Sequence, residues 1–237
     1  PGGKQVTKMD LADAGAAAIA YDIVFSEPDR TSPARIAESL QRAGEGGAAI
    51  AVLKGLPDHD VRLAEAFAQA PVAAGYFLLR DKPGETVQPK AGFAIAGSPP
   101  QGGIARYSSA IQSLPPLREA AAGSGFVSLA GDADAIVRKA PLLAMQNGQL
   151  LPSLSLDALR LAQGAGAIVV KTSDGSGETA GAPGQIVAVK VGGFEVPTTA
   201  AGELWMHYTA PRTTRSVPAW KLLEEGALAV PVAGDAV

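Results

Sequence analysis

The sequence lacks cysteine altogether, which excludes disulfide bonds, zinc–thiolate sites and thiol nucleophiles. Aromatic residues make up only 5% of its 237 residues, so the chain has no row of stacking side chains of the kind that single-strand-binding proteins use. No apolar run reaches the roughly 18 residues that a membrane-spanning helix needs. Basic residues form no block and the net charge is -3, which argues against nucleic acid as a partner.

Apolar residues are plentiful by comparison, at 47% against 18% charged, and this balance predicts a chain that folds around a hydrophobic core. The length suffices for one large domain or two small ones, and we expect a single domain over residues 1–237. The first apolar segment has no preceding strand and the last one ends without a turn or cap. We therefore expect the domain to be truncated at both ends. The absence of cysteine fits an oxidising compartment.

The most informative stretch covers residues 16–29, where an apolar run of strand length is interrupted by one carboxylate, Asp22, and then ends in an acidic turn. A run this apolar predicts a strand over residues 17–25 that is covered on both faces, as in a parallel sheet. An unpaired charge inside such a strand is costly. Asp22 therefore either has a bonded partner or lies at the carboxyl end of the strand, where open α/β sheets bind ligands.

Strand and helix patterns alternate in the first third of the chain, with strands at 17–25, 48–53 and 72–79 and helices at 33–43 and 58–70. This alternation predicts parallel neighbouring strands with helices packed on them. The later part of the chain favours short strands, including a hairpin around Asn147-Gly148, the strongest two-residue hairpin signal. We predict an α/β fold with a central, mainly parallel sheet flanked by helices, and additional antiparallel hairpins in the C-terminal half.

The densest group of polar residues consists of Asp132, Asp134 and Arg138. One interpretation is a turn in which the acids bond their own backbone and Arg138 pairs with one of them. The other is an oxygen-ligand site or an anion clamp, because the Asp-x-Asp spacing is similar to part of a calcium loop. The glycine and the distal glutamate of that loop are missing, so we favour the structural turn.

A second candidate site consists of Asp22, Glu27 and Asp29, which could hold a divalent cation or a cationic ligand at the end of the first strand. The alternative, which we favour, is a buried Asp22 bonded to backbone amides, with the other two as solvated turn residues. His59 and His207 each lack a second ligand at metal-binding spacing; we expect His59 to be exposed and His207 to be packed. No Gly-x-Ser-x-Gly motif provides a hydrolase nucleophile. We predict no catalytic residue, no metal and no cofactor.

Three segments together resemble the type-two CHASE domain, the extracytoplasmic sensory domain of bacterial cyclases, histidine kinases and related signalling proteins. The segments are Ala18–Asp29, Gly125–Ala162 and Val196–Leu223. The middle one is the most specific, because an Asp-rich turn, an arginine and a Pro-Ser-Leu helix start recur in order. The chain departs from the family where Ala135 replaces the usual glycine, which predicts a looser turn. The family's opening and closing strands are also missing.

The resemblance implies a non-enzymatic sensor that detects an unknown small signal outside the cytoplasmic membrane, in the periplasm. In the family the domain follows one membrane helix and precedes others, and a cytoplasmic output domain, commonly a class III adenylate or guanylate cyclase, completes the receptor. An alternative from a different class is a small α/β hydrolase or transferase that uses Asp22 and Asp134 as acid and base.

The resemblance also implies pairing, because class III cyclases are active as dimers. We expect a weak homodimer, and the last predicted helix, Ala219–Glu225, offers the apolar residues Trp220, Leu222 and Leu223 as its contact patch. The competing interpretation is that these three side chains cover the sheet edge left by the missing closing strand. The sequence supports the two interpretations equally.

Overall fold

The computed structural model of the chain describes residues 11, 15–129, 134–175, 181–212 and 218. Its helices are α1 (Pro33–Arg42), α2 (Gly47–Lys54), α3 (His59–Ala68), α4 (Pro115–Ala120) and α5 (Leu154–Ala162). The earlier strands are β1 (Ile19–Tyr21), β2 (Val72–Leu79), β3 (Gly92–Ala96), β4 (Arg106–Tyr107), β5 (Ser109–Ile111) and β6 (Gly123–Phe126). The later strands are β7 (Lys139–Pro141), β8 (Leu143–Gln146), β9 (Gln149–Pro152), β10 (Ala167–Thr172), β11 (Ile186–Val191), β12 (Phe194–Pro197) and β13 (Glu203–Trp205).

Strand β2 lies at the centre of the first sheet and is buried along most of its length. Strand β1 pairs with it in parallel, with Ile19 opposite Val72. Strand β6 also pairs with it in parallel, with Ala73 opposite Gly123, and β5 runs antiparallel to its carboxyl end. The predicted parallel pairing of the first and third apolar segments is confirmed. Strand β1 is shorter than expected, because it ends at Tyr21.

The segment 48–53, predicted as the second strand, is instead part of helix α2, so that prediction is wrong. A short, uninterrupted apolar run has no periodicity that separates a buried strand from a helix, and its alanines favour the helix. No residue of α2 is buried, and Val52 is 66% exposed. The described residues therefore leave an apolar helix face uncovered, and the second parallel neighbour of β2 is β6 instead of segment 48–53.

The two helices predicted in this half are confirmed as α1 and α3. Pro33 begins α1, as its fixed backbone angle favours, but the Ser32 side chain does not cap that helix. The Ser32 hydroxyl oxygen instead accepts the backbone N–H of His59 at 3.1 Å, at the start of α3. Asp58 caps α3 by accepting two backbone N–H groups of its first turn. The beginnings of the two helices are thus tied to each other.

Helices cover both faces of the first sheet. On one face, Phe67 of α3, Val72 of β2 and Leu117 of α4 pack in a common core, and each is fully buried. Helix α5 packs against β6 and β2. A Cβ atom at Gly125 would lie 2.4 Å from the backbone nitrogen of Leu154, so only glycine lets α5 approach this closely.

A second sheet has the order β12-β11-β10-β3. Strand β10 pairs in parallel with β3, with Ala167 opposite Gly92, and antiparallel with β11. Ile168, Val170 and Val189 are fully buried and form the centre of a second core.

One aspartate ties together the loops at the edge of this second sheet. The Asp174 carboxylate accepts the backbone N–H groups of Ser98 and Gly184, each at 3.2 Å, and the Thr172 hydroxyl at 3.0 Å. Hydrogen bonds from Ser98, together with those from Gly184 and Thr172, hold the pKa of Asp174 well below its usual range. The ionised form of this side chain therefore stabilises the loops that it joins.

The hairpin predicted around Asn147-Gly148 is confirmed as β8 and β9. Both turn residues have left-handed backbone angles, with φ of 51° and 80°, which a type I′ turn requires. The predicted α/β class, with a parallel sheet and antiparallel pairing in the C-terminal half, is confirmed. The predicted helix Ala219–Glu225 lies outside the described residues. Among the helices that are described, none combines the length and apolar character that crossing a membrane would need.

Candidate functional site

Asp22 follows β1 directly, at the carboxyl end of that strand, and its side chain is exposed. This is the second of the two positions that the sequence allowed. The alternative in which Asp22 is buried and bonded to backbone amides is wrong, because the structure shows no hydrogen bond or ion pair for its carboxylate within the described ranges. Strand β1 ends at Tyr21, one residue before Asp22. The apolar residues that follow Asp22 lie outside the strand, and one of them, Ile23, is 54% exposed.

Asp29 has a structural role between α1 and α3. Its carboxylate accepts the backbone N–H and the hydroxyl of Thr31, both at 2.8 Å, and lies 3.0 Å from the Nδ1 atom of His59. Its own backbone N–H donates to the Asp60 carboxylate at 3.0 Å. The backbone hydrogen bond from Thr31, followed by that from its hydroxyl, lowers the pKa of Asp29, and His59 adds to this. These bonds explain why the acidic turn adopts a fixed conformation.

Glu27 lies apart from any acidic cluster, in a surface groove of about 460 Å³ that it shares with Arg30, Arg35 and Arg42. Within the part of the chain that the structure describes, no three histidine or carboxylate side chains converge as a metal site would require. The structure therefore does not assemble Asp22, Glu27 and Asp29 into the cation site that was considered from the sequence.

Asp134 and Arg138 form an exposed ion pair. The guanidinium donates to both carboxylate oxygens, at 2.9 and 2.7 Å, and the backbone N–H of Ile136 donates to Asp134 at 3.2 Å. The Arg138 hydrogen bonds are the main cause of a lowered pKa at Asp134. Ala135, between them, has a left-handed φ of 62°. The turn therefore keeps the left-handed backbone angle that glycine would adopt without strain, so the looser turn expected at Ala135 is not seen. The ion pair itself agrees with the favoured structural interpretation.

The remaining predicted residues contribute nothing to a described site. Asp132 and the patch of Trp220, Leu222 and Leu223 lie outside the described residues. His207, expected to be packed, is exposed, so that expectation is wrong.

A cleft of about 430 Å³ lies over β2, between the loop at 85–90 and helix α4. Its volume is in the range of small-molecule sites. Ala74, Gly75 and Tyr76 of β2 contribute to its lining, together with Ser124 of β6. The charged lining residues are Glu85, Lys90, Arg118 and Glu119. The cleft therefore combines a partly apolar lining with two cations and two carboxylates.

Tyr76, one of the residues that line this cleft, has a buried hydroxyl. The side chain is 2% exposed, and its hydroxyl has no hydrogen-bond partner within the described residues. Burial, reinforced by the nearby charge of Asp157, raises the pKa of the phenol, so it remains protonated. A buried hydroxyl without a partner costs free energy, and such a group in a native structure calls for a reason.

Lys90 places an ammonium group at the same cleft. Its Nζ atom donates to the backbone carbonyl oxygens of Glu119, at 2.9 Å, and of Ala121, at the end of α4. Burial lowers the pKa of Lys90, while the charges of Glu119 and Asp157 raise it. The carboxyl end of a helix favours a cation, which explains why this ammonium is held at a fixed position.

The loop at 85–90 is held in place by its backbone. Glu85 exchanges two backbone hydrogen bonds with Ala110, and the fully buried Gln146 side chain bonds the Glu85 carbonyl at 3.1 Å and the Val87 N–H at 2.8 Å. The Glu85 carboxylate pairs with Arg118. The rim of the cleft therefore has a defined shape rather than that of a loose loop.

A buried ion pair lies next to the cleft, between α5 and β6. Asp157 is 0% and Arg160 7% exposed, and their side chains are 2.5 Å apart. The second Asp157 oxygen accepts the Ser124 N–H at 2.7 Å. A Cβ at Gly123 would lie 2.2 Å from this carboxylate, so glycine makes room for it. The pair fixes the position of β6, whose Ser124 lines the cleft.

No residue spacing in the sequence indicates this cleft, because its residues come from β2, β6, α4 and a loop that are far apart in the chain. The one sequence signal was Tyr76, a hydroxyl within an otherwise apolar buried strand.

A model of the CHASE2 domain family matches residues 5–237. None of the curated proteins matches the chain. None of the solved structures matches it either.

Proposed function

We propose, from the premise that this chain belongs to the CHASE2 domain family, that it controls an adenylate or guanylate cyclase in the cytoplasm. CHASE2 domains are extracellular sensory domains of signalling proteins. In this proposal the chain is the periplasmic part of an inner-membrane receptor, and membrane helices of the same protein pass the signal inward. The observation that carries the proposal is the family match along residues 5–237.

The cleft over β2 supports a sensory role, since a receptor domain needs a site of small-molecule size. The enzyme alternative finds no such support. Both carboxylate oxygens of Asp134 are engaged by Arg138, and its lowered pKa makes it a poor proton donor near neutral pH. Asp22 is exposed to solvent at the end of β1 and does not line the cleft.

The test is to express the receptor that contains this chain in membranes of a cyclase-deficient bacterial strain. We expect cyclic AMP or cyclic GMP to form from the matching nucleoside triphosphate. Formation of a phosphohistidine in the receptor, with neither cyclic nucleotide produced, would replace the cyclase by a kinase output. A reporter enzyme that is active only in the periplasm, fused after residue 237, tests the location. Lack of reporter activity there would contradict the periplasmic placement.

A further inference from the structure

We propose that the cleft between β2, the loop at 85–90 and α4 is the ligand site of the sensor, and that it takes a small zwitterion with a carboxylate and an ammonium group, such as a free amino acid. The proposal rests on the sensory role and adds the chemistry of the signal. Its three supports are an unpartnered hydroxyl, a fixed ammonium and a lining of balanced charge.

The Tyr76 hydroxyl supplies the first support. It is a neutral donor that is buried and has no partner among the described residues. A carboxylate oxygen is a strong acceptor for a neutral hydroxyl. Because the hydroxyl is buried, the residues that line the cleft have to make room for any ligand atom that bonds it. Binding therefore requires the lining to move, and such a movement is what a sensor has to pass on.

Lys90 supplies the second support. Two of its three N–H bonds go to the backbone carbonyls of Glu119 and Ala121, which fixes the ammonium and leaves one donor for a ligand. Tyr76 and Lys90 line the same cleft, so a ligand carboxylate that accepts from the Tyr76 hydroxyl can also accept from the Lys90 ammonium. Among the described residues, Lys90 is held by backbone carbonyls and not by an ion pair, while the nearby charge of Glu119 raises its pKa.

The charge balance of the lining supplies the third support. Two cations, Lys90 and Arg118, face two carboxylates, Glu85 and Glu119. Glu85 is engaged by Arg118 and Gln112, whereas the Glu119 carboxylate has no bonded partner in the described part of the chain. Glu119 therefore matches the ammonium of a ligand whose carboxylate meets Lys90 and Tyr76. A simple anion would meet Glu119 as a like charge, and a sugar would leave both charges unmatched.

The test is thermal unfolding of the 237-residue chain with the twenty amino acids at millimolar concentration, each compared with acetate, methylammonium and glucose. We expect at least one amino acid to raise the melting temperature, because a ligand of the folded state stabilises it, and the three single-function probes to have no effect. Titration calorimetry then gives the affinity of that amino acid. No shift with any amino acid, or an equal shift with glucose, would overturn the proposal.

Variants locate the site. Tyr76→Phe removes only the hydroxyl and is expected to weaken binding roughly tenfold, and Glu119→Gln is expected to do the same by removing the charge. Tyr107→Phe removes a hydroxyl from a tyrosine that does not line the cleft and should bind as the unmodified chain does. Unchanged affinity in Tyr76→Phe would overturn the site. Cyclic-nucleotide output without amino-acid binding would contradict the ligand proposal and leave the cyclase assignment intact. Amino-acid binding without cyclic-nucleotide output would contradict the cyclase assignment and leave the ligand proposal intact.

Discussion

Replacing Asp157 by alanine tests whether the buried ion pair beside the cleft supports the fold. Arg160 is 7% exposed, and without Asp157 its remaining partners among the described residues are the carbonyl oxygens of Ala122 and Ala165, at 3.5 and 3.3 Å. The substitution also strands the Ser124 N–H. Breaking a buried pair from one side costs about 3–5 kcal/mol. For a domain of this size that corresponds to a fall in melting temperature on the order of 10 °C.

Asp134→Ala is the matched control, because it breaks an aspartate–arginine pair of similar geometry at the surface. The Asp134 and Arg138 side chains are 51% and 45% exposed. A pair that is exposed to water and salt in this way contributes little to stability. The two losses should therefore differ several-fold, although both variants remove one carboxylate that receives two guanidinium bonds.

Urea unfolding followed by circular dichroism measures both variants, with thermal unfolding as a second reading. An unchanged dependence on urea concentration would show that the native and unfolded states keep their compactness. A further variant, Asp157→Leu with Arg160→Met, removes both charges and should recover much of the loss, though the unpaired Ser124 N–H still costs about 1–3 kcal/mol. If the free energy of unfolding of Asp157→Ala lies within about 1 kcal/mol of that of Asp134→Ala, burial does not determine how strongly the Asp157–Arg160 pair stabilises the fold.

Four further outcomes are expected. Tyr76→Phe should leave the ligand-free chain as stable or more stable in urea, since it removes an unpartnered buried hydroxyl; a loss above about 1 kcal/mol would reveal a partner. Ala135→Gly should raise the free energy of unfolding by about 0.5–1 kcal/mol, because it relieves a left-handed alanine; a decrease would contradict that strain. Because the folded pKa of Asp174 is lowered, its contribution is complete above about pH 4 and is lost on acidification below that. Asp174→Asn should therefore reduce the fall in the free energy of unfolding on acidification below that pH. An unchanged pH profile in this variant would exclude a contribution from the Asp174 carboxylate. We expect sedimentation at high protein concentration to detect a weak dimer, which Trp220→Ala should weaken and Trp205→Ala should not; a strictly monomeric parent chain would exclude the patch.

The sequence predicted those elements whose signals are local. Pro33 and Asp58 indicate the beginnings of α1 and α3, and Asn147-Gly148 determines a hairpin turn. The apolar pattern of β2 matches its burial on both faces. Each of these signals acts within a few residues of where it occurs, so no knowledge of the tertiary structure was needed.

The errors arose where burial, rather than the local pattern, decides the structure. Segment 48–53 is as apolar as a buried strand, yet it forms the exposed helix α2. The apolar run around Asp22 continues past the end of β1, so the carboxylate that looked buried is exposed. The cleft was not predictable either, because it exists only once folding brings Lys90, Arg118 and Tyr76 together in one lining.

The parallel pairing of β3 with β10 also has a consequence for how fast the chain folds. Gly92 must find Ala167 before that ladder can form, and Lys139 must find Trp205 in the antiparallel pair of β7 and β13. Bringing such remote segments together costs the chain conformational entropy before the contacts stabilise it. Topologies rich in such contacts therefore fold slowly, on the order of milliseconds to seconds. Among the described strands only β10 pairs with β3, so during synthesis β3 has no partner there until β10 has emerged from the ribosome. That interval is when aggregation competes with folding.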